Sequence, residues 1–183
     1  MIFKSLPFQG AYIIEPEVYR DERGKFYRFY SEDEFSQIEH TKHWIQINHS
    51  YTKEKGTLRG LHYQLPPHAE IKMVKCIAGK ILDVIIDLRN GSSTFLQWTG
   101  VEISAENRLM LYIPEGFAHG FQTLTDDCEL IYHHTASYIK DAEGGIRWDD
   151  PLVKIKWPLP PLYISERDQH HPLITRQFQG IKL

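Results

Sequence analysis

Short runs of alternating apolar and polar residues, separated by turn residues, constrain the fold of this chain more than any other feature. The clearest run is 80–88, KILDVIIDL, in which Leu82, Val84 and Ile86 fall on one face of an extended strand. The sequence Asn-Gly-Ser-Ser that follows supplies a turn. Many short strands with little helix are typical of an all-β sandwich or barrel. The other predicted strands are 11–14, 25–30, 44–50, 73–77, 98–103, 109–113 and 129–135.

One helix is predicted over 31–38, because Ser31 stands where a capping residue would and Glu34 follows at capping-box spacing. Beyond Gly144, prolines and charged residues predict loops and a short helix packed on the barrel. A chain of 183 residues suffices for one domain with a sizeable core and is too short for two ordinary ones. We therefore predict a single domain over 1–183.

Composition argues against several classes of function. The net charge of -3 disfavours a broad nucleic-acid surface, because phosphate binding needs clustered positive charge. No apolar run approaches the ~20 residues that span a bilayer, and the first residues lack the apolar stretch of a secretory signal. Cys76 and Cys128 show no metal-like spacing. We therefore expect reduced thiols in a cytoplasmic protein that binds neither membranes nor nucleic acids.

The segment 56–76, GTLRGLHYQLPPHAEIKMVKC, concentrates the side chains that are suited to chemistry. It places Arg59, His62 and Lys72 close together among apolar residues and prolines. Arginine can bind an anion, histidine can move protons near neutral pH, and lysine can stabilise a developing oxyanion. The combination suggests proton transfer on an anionic carbonyl substrate, with the other half of the site supplied from elsewhere in the chain.

The segment 113–121, IPEGFAHGF, contains Pro-x-Gly-x-x-His and resembles the second sequence motif of cupins, which are small double-stranded β-barrels. The first motif of metal-binding cupins supplies His-x-His, whereas this chain has His62-Tyr63-Gln64. With one imidazole missing, the remaining histidines make a poor site for a tightly held transition metal. We predict no functional metal, and a concave pocket that is free for acid–base chemistry.

Longer motifs carry a more specific resemblance through nearly the whole chain. Together they resemble the nucleotide-sugar 3,5-epimerases typified by dTDP-4-dehydrorhamnose 3,5-epimerase, which use no cofactor. The resemblance implies an all-β, cupin-like double-stranded β-helix (jelly-roll) barrel with a few short helices. The motifs are Asp21-Glu22-Arg23-Gly24-x-Phe26, Gln46-x-Asn48-x-Ser50, GTLRGLHYQ, DLR at 87–89, IPEGFAHGF, Gly145-Ile146-x-Trp148, Trp157-Pro158 and Ser165-x-x-Asp168.

This resemblance implies an epimerase that inverts C3 and C5 of a nucleoside-diphosphate 4-keto-6-deoxy sugar, above all dTDP-4-dehydro-6-deoxy-D-glucose to dTDP-4-dehydro-L-rhamnose. The ketone at C4 acidifies the hydrogens on C3 and C5, because removing either gives a resonance-stabilised enolate. Inversion then needs a base on one face, an acid on the other, and charge stabilisation at the carbonyl oxygen.

Alternatives to this activity stay open. One is a 3-mono-epimerase, or an epimerase of another nucleotide-linked 4-keto sugar. A second, of another class, is a non-catalytic barrel that binds sugar nucleotides. A third is a metal-dependent cupin isomerase or oxygenase, against which Gln64 argues.

Residue roles also come from the resemblance, position by position. It implies that His62 is the base and that Asp168 orients it, since a carboxylate on one ring nitrogen raises the basicity of the other. It further implies that Tyr132 is the acid and that Lys72 stabilises the enolate oxygen. The residues implied to bind substrate are Arg23, Phe26, Gln46, Asn48, Arg59, His119, Tyr138, Glu143 and Arg167.

Several of these positions have simpler explanations. Phe26 and Tyr138 would equally suit core packing, and Arg23 a surface ion pair. His119 would suit structural hydrogen bonding. Arg167 replaces the lysine that is usual before the dyad aspartate, which keeps the charge and changes the geometry.

Three further positions depart from the family pattern. Arg28 stands where a glutamate near the thymidine is usual, so either its side chain turns outward or the chain accepts another nucleotide or sugar. Glu70 replaces a frequent glutamine, and His133 a frequent lysine. The resemblance also implies a homodimer with exchanged N-terminal strands, so that Arg23 would serve the partner's pocket.

Overall fold

Two antiparallel sheets built from short strands face each other in the computed structural model, which describes residues 1–183. Neighbouring strands are mostly far apart in sequence, as in a jelly roll, and the all-β prediction is confirmed. The six-stranded sheet has the order β1 (Ile2–Ser5), β2 (Tyr12–Glu15), β10 (Met110–Ile113), β7 (Lys72–Ala78), β12 (Cys128–His134) and β5 (Gln46–Thr52). The five-stranded sheet has the order β13 (Glu143–Gly145), β6 (Leu58–Gln64), β11 (Phe117–Thr123), β8 (Lys80–Asp87) and β9 (Trp98–Ser104).

The remaining elements are short. The predicted helix 31–38 is present as α1 (Glu32–Phe35) followed by a 3₁₀ turn (Ser36–Ile38). Its predicted cap is wrong, because the Ser31 side chain makes no capping hydrogen bond. The other short elements are a two-stranded hairpin of β3 (Tyr19–Asp21) and β4 (Gly24–Phe26), a 3₁₀ turn (Lys140–Ala142) and α2 (Glu166–Gln169). No helix has the length and apolar character needed to cross a bilayer.

All eight predicted runs contain a strand, with boundaries shifted by one or two residues in most cases. The run 25–30 is the exception, since its strand ends at Phe26. β6 and β11, which carry His62 and His119, were not predicted as strands. Every residue of β11 is buried, so no alternation of apolar and polar residues marks it in the sequence.

The core explains why β8 is buried on both faces. Ile81 and Ile85 join the cluster that packs between the two sheets, whereas Val84 and Ile86 pack under the C-terminal segment with Ile181. Because alternate residues of a strand share a face, Asp83 and Asp87 point to the same side as Ile81 and Ile85. Burial would raise the pKa of Asp87, but hydrogen bonds from Arg89, Ser92 and Thr94 outweigh it and lower the pKa to about 2.

The backbones of the two paired strands that carry His62 and His119, β6 and β11, approach each other unusually closely. Gly60 in β6 has a φ of +116°, and a Cβ there would lie 2.6 Å from the Cα of Gly120 in β11. Only glycine tolerates both this backbone conformation and this approach. In the antiparallel register of these two strands, His62 lies directly opposite His119.

Candidate active site

A cleft of about 810 Å³ opens between the two sheets, beside the packed part of the core. Its walls come from β5, β7 and β12 on one side and from β6 and β11 on the other, with the segment around α2 closing one end. The four residues to which the resemblance assigned acid–base chemistry all line this cleft. They are His62, Lys72, Tyr132 and Asp168.

The His62 ring is held by a carboxylate from a distant part of the chain. His62 Nε2 lies 2.8 Å from Asp168 Oδ1, and the backbone N–H of Gly60 donates to Oδ2 at 3.0 Å. Burial alone would raise the pKa of Asp168, but the hydrogen bonds from His62 and Gly60 and the nearby Arg167 charge hold it well below its usual range. An ionised carboxylate favours the proton on Nε2, which leaves the lone pair of the ring on Nδ1.

A capping interaction positions this carboxylate. The Asp168 N–H donates to Ser165 Oγ at 3.1 Å, so Ser165 caps α2 and fixes the turn that carries Asp168. The preceding residues join β6 through a parallel bridge between Leu58 and Ile164. The Leu58 N–H also donates to the Tyr163 carbonyl at 2.8 Å.

Tyr132 faces the cleft from the opposite sheet. Its hydroxyl lies 2.9 Å from Ser50 Oγ, and its ring lies 6.3 Å from the His119 ring, centroid to centroid. Burial raises the pKa of Tyr132 far above its ordinary value, and the Ser50 hydrogen bond offsets this only in part. The phenol therefore stays protonated at any pH at which the protein would work.

Lys72 belongs to a buried ionic cluster with Glu70 and His134. Lys72 Nζ lies 3.1 Å from Glu70 Oε1, and His134 Nδ1 lies 2.8 Å from Glu70 Oε2. Burial would raise the pKa of Glu70, but the His134 hydrogen bond and the Lys72 charge outweigh it, and the pKa is lowered. The sequence marked Glu70 only as a departure and missed His134. Strand alternation would have found His134, since it shares a face with Tyr132 two residues earlier.

His119, which lines the cleft, pairs with a second carboxylate, that of Asp83 behind the cleft wall. His119 Nε2 lies 2.5 Å from Asp83 Oδ1, and both side chains are buried. Asp83 Oδ2 has no hydrogen-bond partner. His119 thus lines the cleft and is also tied into the sheet through Asp83, while its role in substrate binding stays a prediction.

Four predicted binding residues form one network at the mouth of the cleft. The Tyr138 N–H donates to Gln46 Oε1 at 3.0 Å, and Gln46 Nε2 donates to Asn48 Oδ1 at 3.1 Å. The Tyr138 hydroxyl donates to Glu143 Oε2 at 3.0 Å. Tyr138 is half-exposed, which argues against the core-packing alternative.

Two arginines add positive charge to the same cleft. Arg167 Nη1 donates to Glu143 Oε2 at 2.9 Å. Arg59 lines the cleft near His62, with its Nε on Thr52 Oγ1 and its Nη2 on the Tyr51 carbonyl. Guanidinium groups of this kind suit a diphosphate.

Two predicted binding residues lie outside the cleft of the single chain. Arg23 and Phe26 sit on the β3–β4 hairpin, where every strand residue is exposed. Arg23 pairs with Asp21 at 2.5 Å, which matches the surface ion pair considered from the sequence, and the exposure of Phe26 argues against core packing.

The departures from the family pattern fall in different places. Arg28 pairs with Glu34 at 3.0 Å and lies outside the cleft of the single chain, beside Tyr19 and Phe26 of the exposed hairpin, so both alternatives for this residue stay open. His133 packs against Trp44, off the cleft. Glu70 lines the cleft, as does Arg167, the fourth departure.

Of the residues in the cupin pattern, only His62 belongs to a group that could hold a metal ion. Gln64 is committed to the backbone, since its Nε2 donates to the carbonyls of His68 and Ser137 and its Oε1 accepts from the Ile139 N–H. A different group has metal-ligand chemistry: His62, Asp168 and His171 place their ligand atoms within 4.8 Å of one another. Nothing in the sequence marked His171, because it lies in a loop without periodicity.

Comparisons with known proteins agree with this arrangement. Residues 5–176 match the family model described as dTDP-4-dehydrorhamnose 3,5-epimerase. The dTDP-4-dehydrorhamnose 3,5-epimerase of Salmonella typhimurium is 44% identical over 178 residues, which is 96% of this chain and 97% of that protein.

Solved structures extend the similarity to the backbone. The dTDP-6-deoxy-D-glucose-3,5-epimerase of Legionella pneumophila, in complex with dTDP-4-keto-L-rhamnose, has a TM-score of 0.90 and 38% identity, with 94% of this chain and 92% of that chain covered. ChmJ, a 3'-monoepimerase from Streptomyces bikiniensis in complex with dTDP-quinovose, has a TM-score of 0.86 and 34% identity, with coverage of 92% and 85%. These likenesses confirm the predicted cupin-type jelly roll.

Proposed function

The chain belongs to the dTDP-4-dehydrorhamnose 3,5-epimerase family, and on that premise we propose that it converts dTDP-4-dehydro-6-deoxy-D-glucose to dTDP-4-dehydro-L-rhamnose. One observation carries the proposal: an accessible imidazole, a half-buried phenol and a buried ammonium group face a single cleft. Proton removal, proton return and enolate stabilisation each require one of these groups. The reaction is a double epimerisation through an enolate and needs no net oxidation.

In this proposal His62 removes the proton from C3 or C5 through Nδ1 and becomes an imidazolium that Asp168 stabilises. The electron pair of the broken C–H bond moves into the carbonyl, and the Lys72 ammonium stabilises the resulting enolate oxygen. Tyr132 then donates its proton to the opposite face of the same carbon, which inverts it. Solvent restores the proton of Tyr132 and removes that of His62 before the second carbon reacts.

The nucleotide end of the substrate would lie at the mouth of the cleft. Arg59 and Arg167 supply positive charge for the diphosphate, and Gln46 and Asn48 supply hydrogen-bond donors and acceptors for the base. Arg167 already contacts Glu143, so the substrate would compete with that carboxylate for the guanidinium group.

We further propose a homodimer in which the β3–β4 hairpin of one protomer completes the cleft of the other. The hairpin supports this, because its strand residues are all exposed and include two aromatic side chains, Tyr19 and Phe26. Exposed aromatic residues of this kind are typical of interfaces. Arg23 and Phe26 would then reach a nucleotide that they cannot reach within their own chain.

A complementation experiment tests this arrangement. The variants Arg23→Ala and His62→Asn are each expected to be nearly inactive. In a mixed dimer, one cleft would receive an intact His62 from one protomer and an intact Arg23 from the other. Mixing after mild dissociation should therefore restore turnover. No recovery, with mixed dimers detected by mass spectrometry, would show that each hairpin serves its own chain or none.

We also propose that residues 1–183 act as a single domain in the cytoplasm. The family match over residues 5–176 supports one functional unit. The free, buried thiols of Cys76 and Cys128 suit a reducing compartment.

The proposed function is tested by incubating the enzyme with dTDP-4-keto-6-deoxyglucose in deuterated water and following C3 and C5 separately by NMR. Deuterium at both carbons, with inverted product, is the expected result. Exchange at C3 alone would indicate the mono-epimerase alternative. The structural similarity to ChmJ, a 3'-monoepimerase, is the reason to test for it. No exchange by the folded protein would contradict the proposal, and CDP-, GDP- and UDP-linked 4-keto sugars would then separate another specificity from a non-catalytic barrel.

A further inference from the structure

His171 sits beside the proposed catalytic pair and has no part in the reaction described above. Its ring occupies the space over Gly145, where an added Cβ would lie 2.2 Å from the imidazole. The ring centroid lies 5.4 Å from that of His62, and His171 Nε2 lies 3.5 Å from Asp168 Oδ1. The His171 side chain is only 12% exposed, and its buried Nε2 has no hydrogen-bond partner. A buried nitrogen without a partner is costly unless something binds it.

The three side chains have the composition of a metal site. Two imidazole nitrogens and one carboxylate oxygen suit zinc and its first-row neighbours. Ligands bound at about 2 Å from one tetrahedral ion are separated by roughly 3.3 Å. The ligand atoms of His62, Asp168 and His171 lie within 4.8 Å of one another, so small side-chain movements would bring them to that spacing.

A positively charged group already lies at this point. Arg167 Nη2 lies 3.0 Å from His62 Nε2, and Arg167 Nε lies 3.4 Å from Asp168 Oδ1. The Arg167 side chain is 53% exposed and also contacts Glu143, so it can leave toward solvent without losing every partner. The surroundings of His62 and Asp168 therefore favour a cation, and the Arg167 guanidinium that lies there now can be displaced.

We propose that His62, Asp168 and His171 form a binding site for a divalent transition-metal ion of the zinc type, which displaces the Arg167 guanidinium and inhibits the enzyme. The ion takes the lone pairs of His62 Nε2 and His171 Nε2 and one oxygen of Asp168. The proton of His62 Nε2 leaves and Nδ1 becomes the protonated nitrogen, so Nδ1 can no longer accept a proton from the sugar. Metal binding is independent of the proposed function, and only the inhibition rests on it.

Cobalt(II) is the probe, because its visible absorption reports coordination by nitrogen and oxygen ligands without any assay of activity. We expect one Co²⁺ per chain on protein freed of metal by chelation, with zinc displacing it. His171→Ala should weaken binding by about tenfold or more, since even the loss of a supporting residue commonly weakens metal affinity by 10–100-fold. His170→Ala is the matched control, because the adjacent His170 is exposed and its side chain hydrogen-bonds to the Glu166 carbonyl rather than to the site. This control should bind as the wild type does.

Arg167→Gln supplies an opposite expectation. Removing the competing cation should strengthen metal binding, whereas it would not affect ions held elsewhere on the surface. Equal effects of His170→Ala and His171→Ala, or no effect of either, would overturn the site. If His171→Ala fails to fold, as judged by circular dichroism, His171→Asn provides the same comparison with a polar side chain.

The inhibitory part of the proposal has its own readout. Zinc should abolish proton exchange in the wild type and in His170→Ala, with recovery on addition of EDTA. Stoichiometric binding to the His62, Asp168 and His171 set without inhibition would overturn that part alone. If the enzyme showed no exchange with any substrate, the cobalt spectrum would still decide whether the site exists.

Discussion

The histidines of two His–Asp pairs lie opposite each other on the neighbouring strands β6 and β11, and the two pairs differ in burial, in sequence separation and in the partners of the carboxylate. His62 and Asp168 are 106 residues apart in sequence, and their side chains are 23% and 4% exposed. His119 and Asp83 come from adjacent strands, and their side chains are 7% and 0% exposed. Asp168 has further contacts with Gly60 and Arg167, whereas one oxygen of Asp83 has no partner.

The comparison teaches that the chemistry of a His–Asp pair depends on its surroundings more than on its members. A carboxylate with several donors stays ionised and can support an imidazole that reaches the substrate. A buried carboxylate with one partner holds its histidine in place, and that histidine forms a wall of the cleft. We therefore expect damage to the first pair to appear in kinetics and damage to the second to appear in stability.

The largest effect should come from His62→Asn. The loss of a general base lowers turnover by about 10²- to 10⁴-fold. Deuterium incorporation at C3 and C5 should fall by this factor, while dTDP affinity, measured by calorimetry, should stay near the wild-type value. Persisting exchange would show that another residue is the base.

Asp83→Ala tests whether the second pair, His119 and Asp83, contributes to stability more than to catalysis. It leaves His119 buried without its partner, and breaking a buried pair costs about 3–5 kcal/mol. Urea unfolding should report this loss in the free energy of unfolding. The kcat of the folded fraction should fall less than it does in Asp168→Ala. If the two variants lost stability and kcat in the same proportion, the division of roles between the pairs would be wrong.

Tyr132→Phe tests the acid on the face opposite His62. Proton removal does not need this phenol, whereas proton return to the opposite face does. Inversion should fall by about 10²-fold, with exchange at retained configuration still visible by NMR. The raised pKa of Tyr132 also predicts that the wild type loses no activity through this group up to pH 10. Equal loss of exchange and inversion in the variant would contradict a dedicated acid.

The smallest effect should come from Glu70→Gln. The carboxylate has its pKa lowered from its ordinary value of 4.5, so its stabilisation is complete above that pH and is lost as the pH falls through the lower folded-state pKa. At pH 7 the variant should be less stable by about 1.5–3 kcal/mol, the contribution of a hydrogen bond to a charged group. Unfolding curves at pH 7 and pH 3 should show the difference shrinking at the lower pH. A difference independent of pH would mean that the charge of Glu70 is not what stabilises the cluster.

The parts of the fold and site that could be predicted from the sequence are those with a regular local pattern or a family motif. β8 was predictable because it is an unbroken run in which the apolar residues Leu82, Val84 and Ile86 share one face and a turn follows directly. β6 and β11 were not, because Gly60 and Gly120 interrupt their runs of strand-forming residues. Asp168 entered the candidate site only through family resemblance, since no spacing rule connects residues 106 positions apart. His171 was marked neither by a periodic pattern nor by the family resemblance, because only the folded chain brings it to Asp168.

The segment that carries Asp168 has a consequence for how the enzyme fails. Its helix α2 lies outside both sheets and joins β6 through the Asp168 contacts with Gly60 and His62, after the backbone bridge between Leu58 and Ile164. Segments with few such connections open at a lower free energy than the whole fold does. Mild denaturant should therefore detach this segment first, and catalysis should vanish while both sheets still give their full circular dichroism. Inactivation and unfolding would then be separate events in this enzyme. The time for which it stays active would be set by the detachment of this segment and not by the unfolding of the sheets.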